Sequence, residues 1–370
     1  MTGGTEARLD GIRGRNIPPR SHNARTIAAL AANPGCGRRA LMDAAGVDKQ
    51  RIAAYLGHPA PFGQSSFAIA RGNAFEAQVK AQGAAELLTL LREHLNLDIP
   101  QAHYDDLNDV GGNTSPVLRH TETRNRLANA AAGAGTMFDH PLLTLEIAGR
   151  RAYLEPDLIA FQLNGTFHVI EIKSFPVIDG QADPDKVAAA AIQSAVYVLA
   201  LRQATRREVA DEVILVCPEN FANRPVATSM DVRKQLTVLT RQLARLTRID
   251  DLLDVLPYGL TFDLDPDSAG VPRRKPADLT EAIGHVDARY APECLSTCEM
   301  CFFCRDEAAG QTATLGKQAR EDLGGVDHIA TILHLARGTI QPEPGSDLAE
   351  AATLLRSAAG IRAGILRQAI

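Results

Sequence analysis

Apolar residues along the chain follow a helical period in some segments and a strand period in others, and each change of period marks a predicted element. Short helices are predicted at about 26–32 and 38–45, and a longer helical stretch at about 66–95. Residues 98–120 are polar and rich in Gly, Asp and Asn, which predicts a loop.

A β-rich centre follows. Its strand-like segments are 142–148, 151–162 and 166–174. Gly149-Arg150 and Asn164-Gly165 separate them as hairpin turns. The predicted elements that follow are a helix at about 184–206, a buried strand at 212–217 and a helix at about 230–247. This mixture predicts an α/β protein.

Composition narrows the class of protein. The 370 residues are 45% hydrophobic, which is enough for a large core, and the net charge of -5 disfavours general adhesion to nucleic acid. No apolar run is predicted to reach the 18 residues of a membrane span, and residues 1–21 are predicted to form a flexible tail without a signal sequence. We therefore expect a cytoplasmic protein with no membrane partner.

Candidate chemistry lies in the β-rich centre. Pro156-Asp157 lies on one apolar run, and Glu171-Ile172-Lys173 lies on the next. The two carboxylates are hard oxygen ligands suited to Mg²⁺ or Mn²⁺. Lys173 is a mobile cation that can hold or help to deprotonate an attacking water. Such a set can hydrolyse a phosphodiester with metal-activated water.

These residues resemble the PD-(D/E)xK nuclease superfamily. The resemblance implies a restriction-endonuclease-like core, a central mixed sheet flanked by helices, in a metal-dependent deoxyribonuclease. It further implies catalysis by Asp157, Glu171 and Lys173, with the Ile172 carbonyl as an additional metal ligand. The substrate expected from it is DNA, as a single strand or an end.

Two further motifs are similar to the RecB-like and Cas4-like branch of that superfamily. Gln193 and Tyr197 lie one turn apart on the helix after Lys173, where the branch has a Gln-x-x-x-Tyr pair that binds the DNA backbone. Upstream, Gly72-Asn73-Ala74-Phe75-Glu76 occupies the place of a Gly-x-x-x-His motif. The resemblance makes Glu76 a metal ligand, as a carboxylate is in lambda-exonuclease-like relatives.

The cysteines are clustered. Cys294, Cys298, Cys301 and Cys304 fall within eleven residues, a density that indicates metal binding by thiolates, either of Zn²⁺ or of an iron–sulfur cluster. Cys217 ends a buried strand and is predicted to be a core thiol.

Cys36-Gly37-Arg38-Arg39 resembles the Cys-Pro-Arg-Arg segment of Cas4-type and AddB-type nucleases. The resemblance implies a 4Fe-4S cluster that joins the two ends of the nuclease domain. Its implied ligands are Cys36, Cys294, Cys298 and Cys304, with Cys301 as the substitute for Cys294. A local four-cysteine zinc site is the alternative, and Cys294-x₃-Cys298-x₂-Cys301 also matches the radical-SAM spacing.

A basic stripe is predicted on the helix at about 230–247. Lys234, Arg241 and Arg245 share one side of it and are candidate phosphate contacts in an acidic chain. His103, His120 and His140 are interpreted as surface or loop residues.

The predicted organisation is a tail at 1–21, a nuclease domain at 22–310 and a helical extension at 311–370. The iron–sulfur lid would combine about 22–60 with 290–310. No Gly-x-x-x-x-Gly-Lys-Ser/Thr motif is present, so a helicase or CRISPR or defence partner would be separate, and DNA repair, recombination and antiviral defence stay open. The alternative is a nucleic-acid-binding or scaffold module that does not cleave.

Strand parity adds one expectation. A shared metal site requires Asp157 and Glu171 on one face, so Gln162 should pair with Thr166 across a three-residue loop at 163–165 with a bulge. The alternative is a bulge elsewhere in either strand, which would have the same effect on the facing of Asp157.

Overall fold

In the computed structural model, the structure describes residues 2–60, 66–95, 102–108, 115–130, 135–154, 159–163, 165–220 and 222–368. The chain divides into two units. Unit 1 is Met1–Val47 with Gly63–Asp263, and unit 2 is Asp48–Phe62 with Leu264–Ile370. The division therefore falls after residue 263 and not at the predicted boundary of 310. Every predicted catalytic and DNA-binding residue belongs to unit 1.

The described helices are α1 (Thr2–Arg13), α2 (Ala24–Ala32), α3 (Gly37–Ala44), α4 (Lys49–Tyr55), α5 (Ser66–Leu95), α6 (Pro116–Asn129), α7 (Pro184–Ala204), α8 (Arg233–Leu243), α9 (Ile249–Val255), α10 (Pro276–Gly284), α11 (Cys294–Thr297), α12 (Cys301–Glu307), α13 (Lys317–Asp322), α14 (Ile329–Arg337) and α15 (Asp347–Gln368). The described strands are β1 (Ala102–Asp106), β2 (Gly135–Asp139), β3 (Leu143–Ile147), β4 (Arg150–Leu154), β5 (Ile159–Leu163), β6 (Thr166–Ile172), β7 (Val177–Ile178), β8 (Gln181–Ala182), β9 (Glu212–Pro218) and β10 (Pro225–Asp231). The predicted α/β class is confirmed.

A six-stranded mixed sheet in the order β1-β2-β5-β6-β9-β10 forms the centre of unit 1. β1 and β2 are parallel, β5 is antiparallel to both of its neighbours, and β6 and β9 are parallel. The carboxyl ends of β1, β2, β6 and β9 therefore lie at one edge, together with the amino ends of β5 and β10. We call it the carboxyl edge.

Helices cover both faces of this sheet. On one face, Phe75 and Val79 of α5 pack against Ile170 and Ile214. On the other, Ala190 of α7 packs against Leu215 and Cys217. Because side chains alternate along a strand, neighbouring residues of β6 face different helices. Cys217 is buried, as predicted, and burial raises the pKa of its thiol to about 12.

α7 starts where its sequence directs. The Asp183 carboxylate accepts hydrogen bonds from the backbone N–H groups of Asp185 and Lys186, and Pro184 occupies the first turn. Contrary to the expectation from its sequence, α7 is long and apolar enough to cross a membrane by length and composition alone. Its buried side chains, such as Ala191 and Leu201, pack inside unit 1, as in a core helix.

The prediction of a flexible tail at residues 1–21 is wrong for most of that length. Residues 2–13 form α1, in which Leu9 and Ile12 are buried because they lie three residues apart on one face. The Arg13 guanidinium donates to the Ala45 carbonyl at 2.8 Å and to Asp10 at 2.7 Å. The predicted loop at 98–120 contains β1 and the start of α6.

The predicted hairpin register is also wrong. Leu163 pairs with Thr166 and Ile159 with Ile170, which is the register of a two-residue turn, and Gly165 has a φ of +86°. The glycine satisfies the turn, so no bulge is needed. Asp157 lies outside the described residues, and because the described pairing starts at Ile159, parity along β5 does not give the direction of its side chain.

The contact between residues 19–20 and residue 46 supports an ordered N-terminal segment, and Gly46 tests it. Gly46 has a φ of +68°, and a Cβ there would lie 2.6 Å from the Pro19 Cβ. Arg20 donates its backbone N–H to the Gly46 carbonyl at 2.9 Å. We expect Gly46→Ala to destabilise the protein by about 2–4 kcal/mol, through left-handed strain and overpacking.

The matched control is Gly165→Ala, at a φ of +86° with open space around the site. It should cost only the conformational strain, about 1–2 kcal/mol. Urea unfolding of both variants measures the difference. Equal losses would show that the segment before Gly46 is not held against it.

Candidate active site

The strand β6 ends in an ion pair. The Lys173 Nζ lies 2.5 Å from Oε1 of Glu171, whose side chain is only 6% exposed. The two residues are on the same face because they are two positions apart. The Lys173 backbone N–H donates to the Val216 carbonyl at 2.9 Å, which fixes the start of its side chain beside β9.

α7 adds a third group to this pair. The Lys173 Nζ donates to Oε1 of Gln193 at 3.1 Å, so the predicted Gln-x-x-x-Tyr segment lies beside the lysine. Tyr197 is half-buried one turn further along α7. The structure therefore brings together Glu171, Lys173 and Gln193.

α5 passes close to the same edge. A Cβ on Gly72 would lie 3.5 Å from the Ser174 Oγ, and the Arg71 guanidinium donates to the Ser174 carbonyl at 3.1 Å. The small residue lets the helix approach the segment that follows Lys173.

A second polar group lies one turn along α5. The Lys80 Nζ is 2.5 Å from Oε1 of Glu76 and 2.8 Å from Oδ1 of Asp139, the last residue of β2. Asp139 pairs with Ile159 of β5, and Ile159 pairs with Ile170 of β6. Paired residues share a face of the sheet, so Asp139 lies on the face that α5 covers. Glu171, the neighbour of Ile170, lies on the face that α7 covers. The predicted ligands Glu76 and Glu171 thus lie on different faces of the sheet.

Sequence reasoning missed Asp139, Lys80, Tyr104 and Asp106. The Tyr104 hydroxyl donates to Asp139, and burial together with this bond raises the pKa of Tyr104. Ligand atoms of Asp106, Asp139 and His140 lie within 4.8 Å of one another, a spacing that suits a metal ion. An apolar strand ending in Asp-His was the available signal, but β2 itself was not predicted.

Lys80 is a buried cation between two carboxylates. Burial opposes its charge, but Asp139 and Glu76 more than compensate, so its pKa is raised above the usual 10.5. The ammonium therefore stays charged throughout the neutral range and neutralises Asp139, which is 1% exposed.

The other predicted site residues are placed as follows. Asp157 lies outside the described residues. Ile172 is partly buried against the core on the α5 face. Lys234 and Arg241 are exposed on α8, and Arg245 is exposed two residues beyond the end of that helix.

The cysteines are divided between the units. Cys36 is buried at the N-cap position of α3 in unit 1. In unit 2, Cys294 starts α11, Cys301 and Cys304 lie on α12, and Cys298 lies between the two helices. None of these cysteines forms a disulfide, and burial raises the pKa of Cys301. Within unit 2, no three of the four sulfur atoms lie within 4.8 Å of one another. A closed tetrahedral zinc site, with Zn–S bonds of about 2.3 Å, would hold them about 3.8 Å apart.

No protein-family model matches the chain, and no curated protein matches it. The chain is similar in structure to a candidate exonuclease from Eubacterium rectale, at a TM-score of 0.33 and 12% sequence identity. That likeness covers 82% of this chain and 90% of the other. At this score it carries no inference about activity.

Lys80 supplies a prediction about stability. Lys80→Met leaves Asp139 buried without its cation, so we expect a loss of about 3–5 kcal/mol in the free energy of unfolding at pH 7.5. Because the folded-state pKa of Lys80 is raised, its contribution is complete below pH 10.5 and is lost as the pH rises through the raised value. Urea unfolding at several pH values measures both effects.

Lys186→Met is the matched control. Lys186 lies 3.7 Å from Asp183 with both side chains about half exposed, so its removal should cost less than about 0.5 kcal/mol. Similar losses in the two variants would show that the Lys80 pair does not stabilise the fold.

Proposed function

We propose that the chain is a metal-dependent DNA nuclease of the PD-(D/E)xK type, in the RecB-like and Cas4-like branch, acting on single strands or DNA ends. One observation carries the proposal. At the carboxyl edge, the Lys173 ammonium is held 2.5 Å from a buried carboxylate and 3.1 Å from the Gln193 amide. A lysine ammonium beside an acidic ligand can stabilise developing charge in a metal-dependent phosphodiester hydrolysis, and the Gln193 amide restrains that lysine.

The donor set fits a hard divalent cation. Asp157, Glu171 and the Ile172 carbonyl would hold Mg²⁺ or Mn²⁺. Glu76 lies on the other face of the sheet, so as a further carboxylate ligand it would have to reach the ion around the end of β6. Ile159, two residues after Asp157, pairs with both Asp139 and Ile170, so the chain enters the sheet between the two polar groups. When bound, the ion supplies Lewis-acid activation of water and of a phosphate oxygen.

Lys173 has the role that its contacts support. Its Nζ is charged, and Glu171 and Gln193 restrict where it points. From that position it would donate a hydrogen bond to the attacking water or to a phosphate oxygen and stabilise developing negative charge. Gln193 and Tyr197 would orient the strand, while Lys234, Arg241 and Arg245 provide exposed basic contacts.

One observation favours the alternative of a nucleic-acid-binding module that does not cleave. Glu76, a proposed metal ligand, is ion-paired with Lys80. The ammonium lies on Oε1 of Glu76, so metal binding by this residue would use its other oxygen or displace the ammonium, whereas a binding module would keep the pair unchanged. Asp157, Glu171 and Lys173 have no evident use in such a module, so cleavage is the better proposal.

A 4Fe-4S cluster held by Cys36, Cys294, Cys298 and Cys304 is part of the proposal, with Cys301 as the substitute ligand. The chemistry of the donor set supports it, since thiolates are the ligands of iron–sulfur clusters and four of the five sulfur residues are buried. Its role would be structural, because it would join distant parts of the chain.

The first test is cleavage of labelled single-stranded and double-stranded DNA with Mg²⁺, Mn²⁺ or EDTA. We expect metal-dependent cleavage by the native chain and a loss of about 10²–10³-fold or more in Lys173→Ala and Asp157→Ala. Circular dichroism should show that both variants are folded, and Lys173→Ala, which leaves Glu171 buried without its ammonium, should unfold at a lower temperature than the native chain.

Lys186→Ala is the matched control, because it removes an exposed lysine near the start of α7 and should cleave normally. Near-full activity of Lys173→Ala would exclude this mechanism. Binding of DNA without cleavage by the native chain would favour the binding module.

The second test concerns iron. Protein purified without oxygen should be brown and contain iron and acid-labile sulfide, and Cys36→Ala and Cys298→Ala should lose both. Cys217→Ala is the control, because that thiol lies in the core beside Ala190 and Leu215. A colourless protein with one zinc ion, unchanged by Cys36→Ala, would contradict the cluster and favour a local zinc site.

A further inference from the structure

A groove lies in unit 1 at the far end of α7, away from Lys173. It consists of two adjoining cavities of about 440 and 310 Å³, which share Thr121 and Arg124 of α6. The carboxyl end of α7 forms one wall, and the β3–β4 hairpin forms another. These volumes are those of ligand-binding clefts.

Arginines dominate the charge of this groove. Arg124, Arg151 and Arg206 line it and are exposed, and none of the three forms an ion pair with another described residue. Glu146 is the one carboxylate among the lining residues, directly across β3–β4 from Arg151. A positive groove therefore exists in a chain whose net charge is -5.

The wall behind these arginines is fixed. The Arg207 guanidinium donates to the carbonyls of Ala128 and Ala130, at 3.1 and 2.5 Å, and so ties the end of α7 to the end of α6. Arg124 and Arg206 approach the cavity from these two helix ends. These contacts hold together the two backbone segments from which the exposed Arg124 and Arg206 side chains extend.

A histidine in the groove responds to the same positive charge. The His120 Nδ1 faces the Leu142 carbonyl at 2.8 Å, so it donates there. Burial lowers the pKa of His120, and the nearby Arg124 and Arg151 lower it further. The ring is therefore neutral at pH 7, and the groove owes its charge to the arginines.

The lining selects a phosphate backbone over other ligands. Guanidinium groups bind phosphate oxygens in a bidentate way, and the side chains of Thr121, Asn125 and Thr205 add hydrogen-bonding groups. No Phe, Tyr or Trp is among the lining residues, and the ring of His120, the one imidazole there, already packs edge-on against Tyr153, so the groove is not built for base stacking. Contacts to phosphates without contacts to bases carry no sequence preference.

Two adjoining cavities can hold successive phosphates of a polymer, whereas a single phosphate ion would fill only one of them. α7 connects this groove to the candidate active site, since Gln193 contacts Lys173 and Ala204 lines the groove. The two positions are eleven residues apart, which corresponds to about 16 Å along the helix, a distance that several nucleotides of one strand can cover.

We propose that this arginine groove binds the sugar–phosphate backbone of a single-stranded nucleic acid whose scissile phosphate lies at Lys173. The inference rests on the proposed nuclease function and extends it. It gives the substrate a second contact at the opposite end of α7 and makes a strand of several nucleotides the preferred substrate.

Binding of fluorescein-labelled single-stranded DNA of 4 and 20 nucleotides, measured by anisotropy in EDTA, tests the groove without cleavage. We expect Arg124→Ala/Arg206→Ala to raise the Kd for the 20-mer at least tenfold. The Kd for the 4-mer should change by less than half of that factor. The slope of log Kd against log salt should fall by about 1.4, at about 0.7 for each lost phosphate contact.

Arg337→Ala/Arg362→Ala is the matched control, because it removes two exposed arginines of unit 2 that do not line the groove. It should bind both oligonucleotides like the native chain. Thermal unfolding should show that each double variant is folded. If the two double variants bind the 20-mer alike, or if the salt slope is unchanged, the groove does not bind the strand.

A second arm separates this inference from the nuclease proposal. Hydrolysis of bis(p-nitrophenyl) phosphate with Mn²⁺ reports the site at Lys173 alone, and Arg124→Ala/Arg206→Ala should leave it unchanged. If the native chain does not hydrolyse this substrate but the two double variants still differ in binding, the nuclease proposal is contradicted and the strand-binding role of the groove stands. If free inorganic phosphate competes as well as the unlabelled 20-mer, the groove is a site for single anions, and the proposal that it binds a strand is overturned.

Discussion

The burial of Glu171 is the constraint on which the candidate site depends. A carboxylate that is 4% exposed requires a cation and hydrogen-bonding groups beside it, because removing its hydration is costly. Lys173 supplies the cation at 2.5 Å, and Gln193 in turn restrains Lys173. The parallel pairing of β6 with β9 and the packing of α7 over that pair place these three groups together.

Much of this arrangement follows from sequence. The strand that ends in Glu-x-Lys, the capped helix at Pro184 and the buried strand at 212–217 all have clear local signals. The strand that carries Glu171 and the helix that carries Gln193 were both predicted, and in the structure Lys173 donates to Gln193. The class of fold and the neighbourhood of the lysine could therefore be inferred without coordinates.

The remainder depends on tertiary burial that local patterns do not encode. All five residues of β2 are buried, so the strand shows no alternation and Asp139 was not recognised. The register of the β5–β6 hairpin was inferred from a supposed metal site, whereas the turn at Gly165 alone determines it. The predicted ligands Glu76 and Glu171 lie on different faces of the sheet, and this too depends on the pairing of the strands, which local sequence patterns do not encode.

The break in α5 has a consequence for how this part of the molecule can vary. The helix is interrupted at 81–84, where Gln82, Gly83 and Ala84 have left-handed backbone conformations. The half that carries Glu76 and Lys80 is thus uncoupled in rotation from the half that carries Leu87 and Leu91. Residues can be inserted or lost at the break during evolution without turning Glu76 away from Asp139. Phe75 and Val79 of the first half and Leu87 and Leu91 of the second pack into one core cluster, so any change at the break must keep both halves against that core.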